Sequence, residues 1–226
     1  HLAYFIPFMF YKPVDHHLSS GINNMNSNMF LDLSIRLFPK THLYTILFID
    51  ELAVKRILDP DYYNFASSKS GIRFDNIIPN FYAGFEYTIT NALTFQHFVP
   101  TTTFESNRDN LGHYLEDNAK ELYTYLGFRP FRTTDICISY SSAIKGPDHT
   151  ILGTLPRITI DPFNPVVWKR NRLSAQFSYE VFNGGYLRLG FTSSNTRGDD
   201  FYLERYTPEF RRGRVNEFNF GVNYGF

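Results

Sequence analysis

The chain has 226 residues, with 22 basic and 22 acidic side chains. That balance gives no reason to expect a nucleic-acid partner, and the length suits one domain, or one barrel of moderate size, over 1–226. The single cysteine, Cys137, excludes an internal disulfide and a cysteine-based metal site. No apolar run approaches the ~18 residues of a transmembrane helix.

The unusual feature is aromatic: 24 Phe and 16 Tyr against one Trp. Soluble domains bury aromatics, whereas transmembrane barrels also spend them on lipid-facing walls and interfacial girdles. A mean hydropathy of −0.28 is compatible with a membrane, because barrel strands alternate lipid-facing and lumen-facing residues. The sequence opens on His1 without an initiator Met or a secretory leader, as a mature or partial chain would.

In chain order, the dominant hydrophobic period is two, the mark of strands. Segments of this kind fall near 2–12, 27–38, 42–53, 79–90, 93–103, 118–129, 133–143, 170–182, 185–195 and 214–226. Most have about ten residues, enough for a tilted strand to cross a bilayer. Pro7 cannot donate to a ladder, so the first segment is an edge, a bulge or no strand. His16-His17 invites a metal reading, but neighbours in an extended chain point opposite ways, which favours a polar loop. Leu31, Leu33, Ile35 and Leu37 alternate with Asp32, Ser34 and Arg36. The third segment is apolar on both faces, as a packed lumen or a contact with another chain requires. Its Asp50-Glu51 end suits a cation or, more simply, a solvated rim. Clean alternation returns at Phe81–Ile89, Asp135–Ser141, Leu173–Val181 and Leu187–Thr192.

Connections alternate in length. Pro39-Lys40-Thr41, Asn91-Ala92, Pro130-Phe131-Arg132 and Asn183-Gly184-Gly185 read as tight turns. Long polar connections lie near 13–26, 54–78, 104–117, 144–169 and 196–213. Short turns on one side and long loops on the other is the asymmetry of an outer-membrane barrel. Counting back from a periplasmic C-terminus puts every short turn in the periplasm and the long loops outside. Phe38, Phe128, Phe131, Phe182 and Tyr186 then form a periplasmic girdle, and Trp168 an extracellular interfacial anchor. The competing reading makes these aromatics the core of a soluble β-domain.

In the last segment Phe218, Phe220, Val222, Tyr224 and Phe226 share one face, with Asn219, Gly221, Asn223 and Gly225 on the other. Alternating aromatics ending in Phe resemble the signal that the barrel-assembly machinery recognises. Arg36, Glu86, Glu121, Arg129, Asp135, Glu180 and Arg188 take lumen-facing parity, where charges pair across strands. A conduit or carboxylate catalysis is the alternative. His97, His113 and Ser106 would suit an enzyme, but no oriented set is visible. Loop 196–213 holds Tyr202, Arg205, Arg211 and Arg212, with Arg197, Arg214, Phe201 and Tyr206. Arginine and aromatics suit acidic sugars, lipopolysaccharide phosphates or a protein partner.

Three stretches together resemble the Wzi-type capsule-assembly family of outer-membrane barrels found in Bacteroidota. They are Leu43-Tyr44 with Phe48-Ile49-Asp50-Glu51; Gly84-Phe85-Glu86-Tyr87-Thr88 with Phe95-Gln96-His97; and Asn110-Leu111-Gly112-His113-Tyr114-Leu115 with Asp117-Asn118-Ala119 and Leu122-Tyr123. The likeness runs from about 28 to 145 and departs at Glu116, where the family pattern has glycine. It implies a part in attaching or organising capsular polysaccharide, and a barrel of about 18 strands of which this chain is the C-terminal part.

These readings converge on an all-β protein: an antiparallel up-and-down transmembrane β-barrel with about ten strands in this chain. Polysaccharide would bind at the extracellular loops, through Tyr202, Arg205, Arg211 and Arg212. Lipids, lipopolysaccharide and the assembly machinery are the expected partners, with no cofactor, metal or catalysis. The rival role is a structural subunit of a larger outer-membrane complex.

Overall fold

The period-two segments form strands that pair with their neighbours in sequence. The computed structural model describes residues 28–51, 64–97, 103–107, 109–149 and 163–225. The segment 2–12, Pro7, His16-His17 and Phe226 lie outside them. The strands are β1 (Met29–Phe38), β2 (Thr41–Glu51), β3 (Phe65–Asp75), β4 (Phe81–Thr90), β5 (Glu105–Ser106), β6 (Asp109–Asn110), β7 (Ala119–Phe128), β8 (Thr134–Lys145), β9 (Trp168–Phe182), β10 (Gly185–Gly198) and β11 (Gly213–Tyr224). One helix, α1 (Asp200–Tyr206), and a 3₁₀ turn at Glu209–Arg211 separate β10 from β11.

Nine strands form one antiparallel sheet in the order β1-β2-β3-β4-β7-β8-β9-β10-β11, and β5-β6 is a small separate hairpin. Among the described residues the sheet is open, with β1 and β11 as its edges.

Two expectations are corrected. The connection expected at 54–78 contains β3, which pairs fully with β2 and β4. Its Ser67, Ser68, Ser70 and Gly71 mask the alternation that Ala66, Ile72 and Phe74 would otherwise show. The strand expected at 93–103 is absent over 93–97, which turn instead. Leu93 there adopts φ +64°, and Leu93, Thr94 and Phe95 are all buried. Apolar residues clustered in a buried turn mimic a strand in sequence. The two corrections offset each other in parity, so the tight turns still share one end. Asn91-Ala92 moves to the long-connection end, and 76–80 replaces it as the tight turn. Asn76 and Asn80 supply the positive φ that this turn needs, and the Asn80 N–H donates to Asn76 Oδ1 at 2.8 Å.

Register assigns every residue to a face. On one face Leu31 pairs with Leu47, Leu126 with Ile138, Phe177 with Leu189 and Leu189 with Phe220. This face carries exposed large apolar side chains on β1, β4 and β7–β11, with Leu189 45% accessible and Phe218 83%; on β2 and β3 it is half-buried and mixes Leu47 and Ile72 with Thr45, Ser68 and Ser70. The other face carries Asp32, Arg36, Glu86, Glu121, Asp135 and Arg188, with Ser139, Ser141, Ser174, Ser178, Thr192, Ser194 and Thr196 of β8–β10. Tyr186 belongs to this polar face, opposite Glu180 and Asn223, not to an outer girdle.

At the long-connection end the polar face becomes a core. Leu115, Ala119, Ala143 and Trp168 cluster there, with Tyr202, Leu203 and Tyr206 of α1 packed against them. Phe48, Phe95 and Phe104 stack nearby at 4.9–6.2 Å. Trp168 is fully buried and donates Nε1–H to Thr207 Oγ1 at 2.9 Å. It is a core residue, not an interfacial anchor. Asp50 is likewise buried rather than a solvated rim group.

In the middle of the polar face, tyrosines lie over glycines of adjoining strands. The Tyr125 ring covers its cross-strand partner Gly84, and the Tyr82 ring covers Gly127. A Cβ at either glycine would enter the ring, the arrangement in which an aromatic shields a strand glycine. We expect Gly84→Val to cost about 1–3 kcal/mol through overpacking, read as a lower midpoint in denaturant unfolding.

Candidate functional site

The connection between β4 and β7 folds back over the end of the sheet, bringing Gln96-His97, Asn110–Leu115 and Asp117–Ala119 beside α1 and the start of the β8–β9 connection. Asp117 organises the junction. Its Oδ2 accepts from the Leu93 N–H at 2.8 Å and from Gln96 Nε2 at 2.8 Å. Lys145, the last residue of β8, is fully buried beside it. Lys145 Nζ donates to the Asp117 carbonyl at 2.8 Å and pairs with Asp148 Oδ1 at 2.8 Å and Asp117 Oδ1 at 3.7 Å. It also sits 5.3 Å from the centre of the Tyr206 ring. Burial pushes the Asp117 carboxyl above its usual range, while Lys145 pulls the other way. Asn118 completes the knot, donating from Nδ2 to the Pro147 carbonyl at 2.8 Å and accepting from the Phe163 N–H at 3.2 Å.

Glu116 adopts φ +59°, a conformation that glycine reaches without strain. A non-glycine residue held there costs about 1 kcal/mol or more. Glu116 is held from both sides. Arg205 Nη2 donates to its two carboxylate oxygens at 2.7 and 2.9 Å, and the Tyr206 hydroxyl donates at 2.8 Å. Its carbonyl accepts from Thr90 Oγ1 at 2.9 Å. Burial pushes the Tyr206 hydroxyl far above its ordinary range, so it stays a donor at any working pH. Tyr202 Oη accepts from the Asp148 N–H at 3.0 Å.

Between these elements lies a cleft of about 300 Å³, lined among others by His97, Glu105, Asp117, Asp148, His149 and Arg205. The lining is rich in carboxylates, with two imidazoles and one guanidinium. It offers acceptors and a few donors, the chemistry that holds a polyhydroxylated ligand. Among the described residues no cluster could hold a metal ion. His113 serves the fold: Nδ1 accepts from the Leu115 N–H at 3.3 Å, and Nε2 faces Glu121 at 3.7 Å.

The four loop residues singled out from sequence all have partners within the chain. Arg205 and Tyr202 lie together on α1 over the cleft. Arg211 forks onto Glu217 at 2.7 and 3.2 Å, and Arg212 donates to the Thr207 carbonyl at 3.2 Å, both away from it. Of the charges given lumen parity, Arg129 pairs with Asp135 at 2.7 Å and Glu86 with Lys69 at 3.3 Å. Glu180 accepts from the Gly184 N–H at 3.2 Å and so closes its turn. Phe218, Phe220, Val222 and Tyr224 share the exposed face of β11. Sequence reasoning missed Lys145 and Asp148. Their one local signal is Lys145 at inward parity just before Gly146-Pro147.

No model of a known protein family matches the chain, and no curated protein matches it. The fold and its geometry therefore define the class: an all-β protein built on one large antiparallel sheet.

Lys145→Met should destabilise the fold by about 3–5 kcal/mol, because it strands two carboxylates in the junction. The loss should shrink as pH falls, since a raised carboxyl then takes up a proton; urea titrations across pH measure both. Glu116→Ala should lower stability by about 1 kcal/mol more than Glu116→Gly, because both lose the Arg205 pair but only alanine keeps the strain.

Proposed function

We propose that this sheet is a section of the wall of an outer-membrane β-barrel, and that its long-connection end binds a surface polysaccharide. The observation that carries the first half is the inverted polarity of the sheet. Its apolar face carries exposed large side chains on β1, β4 and β7–β11, while the opposite face holds the charges, their partners and the core. Contiguous apolar surface of that extent is rare on a soluble monomer and is what a lipid-facing wall requires. Exposed Ile77, Ile78, Phe131 and Phe182 at the tight-turn end fit a periplasmic interface, and the clefted end faces outward. The apolar face of β11 fits the signal read by the barrel-assembly machinery.

The polysaccharide half draws on the resemblance to Wzi-type capsule-assembly proteins, whose likeness stretches meet at the cleft. The bound chain would be a capsular polysaccharide, held by Asp148, His149 and Arg205 within a frame that Lys145 and Asp117 keep rigid. A second reading, a non-catalytic subunit of a larger outer-membrane complex, is favoured by the open edges of β1 and β11. Either way the barrel would close with strands beyond the nine.

The wall reading is tested by Leu189→Arg. In lipid vesicles it should cost about 2–4 kcal/mol if Leu189 lies near the bilayer midplane, whereas Gln176→Arg on the polar face should cost little. Equal effects would sink it. For the polysaccharide half, Asp148→Ala and Arg205→Ala should leave the heat-modified mobility of the barrel unchanged and reduce retention of cell-surface polysaccharide. Unchanged retention, with the protein co-purifying in a stoichiometric complex, would favour the subunit reading.

A further inference from the structure

We propose that the polar face of the sheet carries an oligosaccharide-binding track, separate from the loop cleft, formed by Tyr123 and Tyr125, with Arg129 at its tight-turn end and Arg73 beside Tyr125. It rests on the reading of this face as the inner wall of a barrel. A cavity of about 440 Å³ opens in the tight-turn half of the face, lined among others by Arg73, Asp75, Tyr82, Tyr123, Tyr125, Arg129 and Cys137. Its floor is aromatic because of the tyrosine-on-glycine pairs. A ring laid over the glycine of the next strand has one face against the wall and presents the other inward. Tyr125 does this over Gly84, and Tyr82 over Gly127. Tyr123, Tyr125 and Tyr82 run in succession, with ring centres 5.8 and 6.0 Å apart, close to the repeat of one sugar unit.

One cation caps the strip and another flanks it, since Arg73 pairs in register with Gly84 and Gly84 with Tyr125. Arg129 stacks 4.4 Å over Tyr82, and Arg73 lies 5.0 Å over Tyr44. Tyr123 and Tyr125 line the cavity, and among the described residues no cation stacks on either ring. The apolar face of a pyranose stacks on such rings, and guanidinium and carboxylate groups satisfy its hydroxyls. Arg129 is already paired with Asp135. Arg73 is hydrogen-bonded to the Tyr44 side chain but forms no ion pair with a carboxylate among the described residues, which leaves its remaining N–H groups for an acidic sugar. The ligand class is therefore a saccharide chain bearing carboxylates.

Cys137, the only thiol in the chain, reports on this cavity from its lining. The full chain is inserted into lipid vesicles, and labelling of Cys137 by a hydrophilic maleimide is timed with and without short oligogalacturonates. Labelling should slow saturably, by about tenfold at ten times the half-saturating concentration. Arg73→Gln and Tyr125→Leu should abolish the slowing, and Arg205→Ala should keep it. Arg73→Gln leaves the glycine–tyrosine wall intact, so it decides the matter if Tyr125→Leu fails to fold. Labelling that oligogalacturonate never slows, or slowing that survives Arg73→Gln, overturns the track and leaves the barrel reading standing. Faster labelling by a lipophilic maleimide than by the hydrophilic one overturns the barrel reading and the track with it.

Discussion

In a β-sheet the side-chain period is two, so register alone decides which face every residue occupies, and a slip of one residue exchanges the faces. Here the register brings most of the large apolar positions of nine strands onto one face. Among the described residues every strand of the sheet pairs on both sides except β1 and β11, which leaves the side-chain faces to decide the solvent. An aqueous fold with this pattern would turn the apolar face inward against a second layer. The described residues place their second layer, the plug of Leu115, Trp168 and α1, on the other side. The sheet thus carries its packed layer on the polar face and leaves the apolar face exposed, and the rest follows from accommodating that inversion.

The two ends of the sheet meet that demand differently. At the tight-turn end short asparagine and glycine turns close the strands with few side-chain contacts. At the long-connection end the chain must cross the polar face, and its charged groups leave water. Lys145 makes this workable by facing Asp117, Asp148 and a carbonyl at once. Glu116 in a left-handed conformation is the counterpart: backbone strain accepted where a carboxylate reaches Arg205 and Tyr206. In the cleft beside them Asp117, Asp148 and Arg205 are each tied to another element.

Most of the sheet was legible in the sequence because the alternation is strong in β1, β4 and β7–β11. β3 was not, since serines and a glycine lower the contrast between its faces, and its partners are set by β2 and β4 rather than by local preference. The segment at 93–97 misled in the opposite sense: Leu93 and Phe95 are apolar because they are buried in a turn. Trp168 looked interfacial beside Pro165 and Lys169-Arg170, and only α1, whose place depends on tertiary contacts, reveals it as core. The site was half legible. Tyr202 and Arg205 stood out by composition, whereas Lys145 and Asp148 gain meaning only once β8 ends beside Asp117. No local pattern announces a salt bridge made between connections.

The central claim is that the face carrying Leu187, Leu189 and Phe191 meets lipid while the face carrying Arg188, Gly190 and Thr192 meets water. Single cysteines placed in turn at 187–192 of β10, with Cys137 replaced by serine, test it directly in lipid vesicles. A membrane-impermeant maleimide should label 188, 190 and 192 and spare 187, 189 and 191, with a lipid-soluble reagent giving the reverse. Uniform labelling along the strand, or aqueous labelling of 187, 189 and 191, would contradict the account.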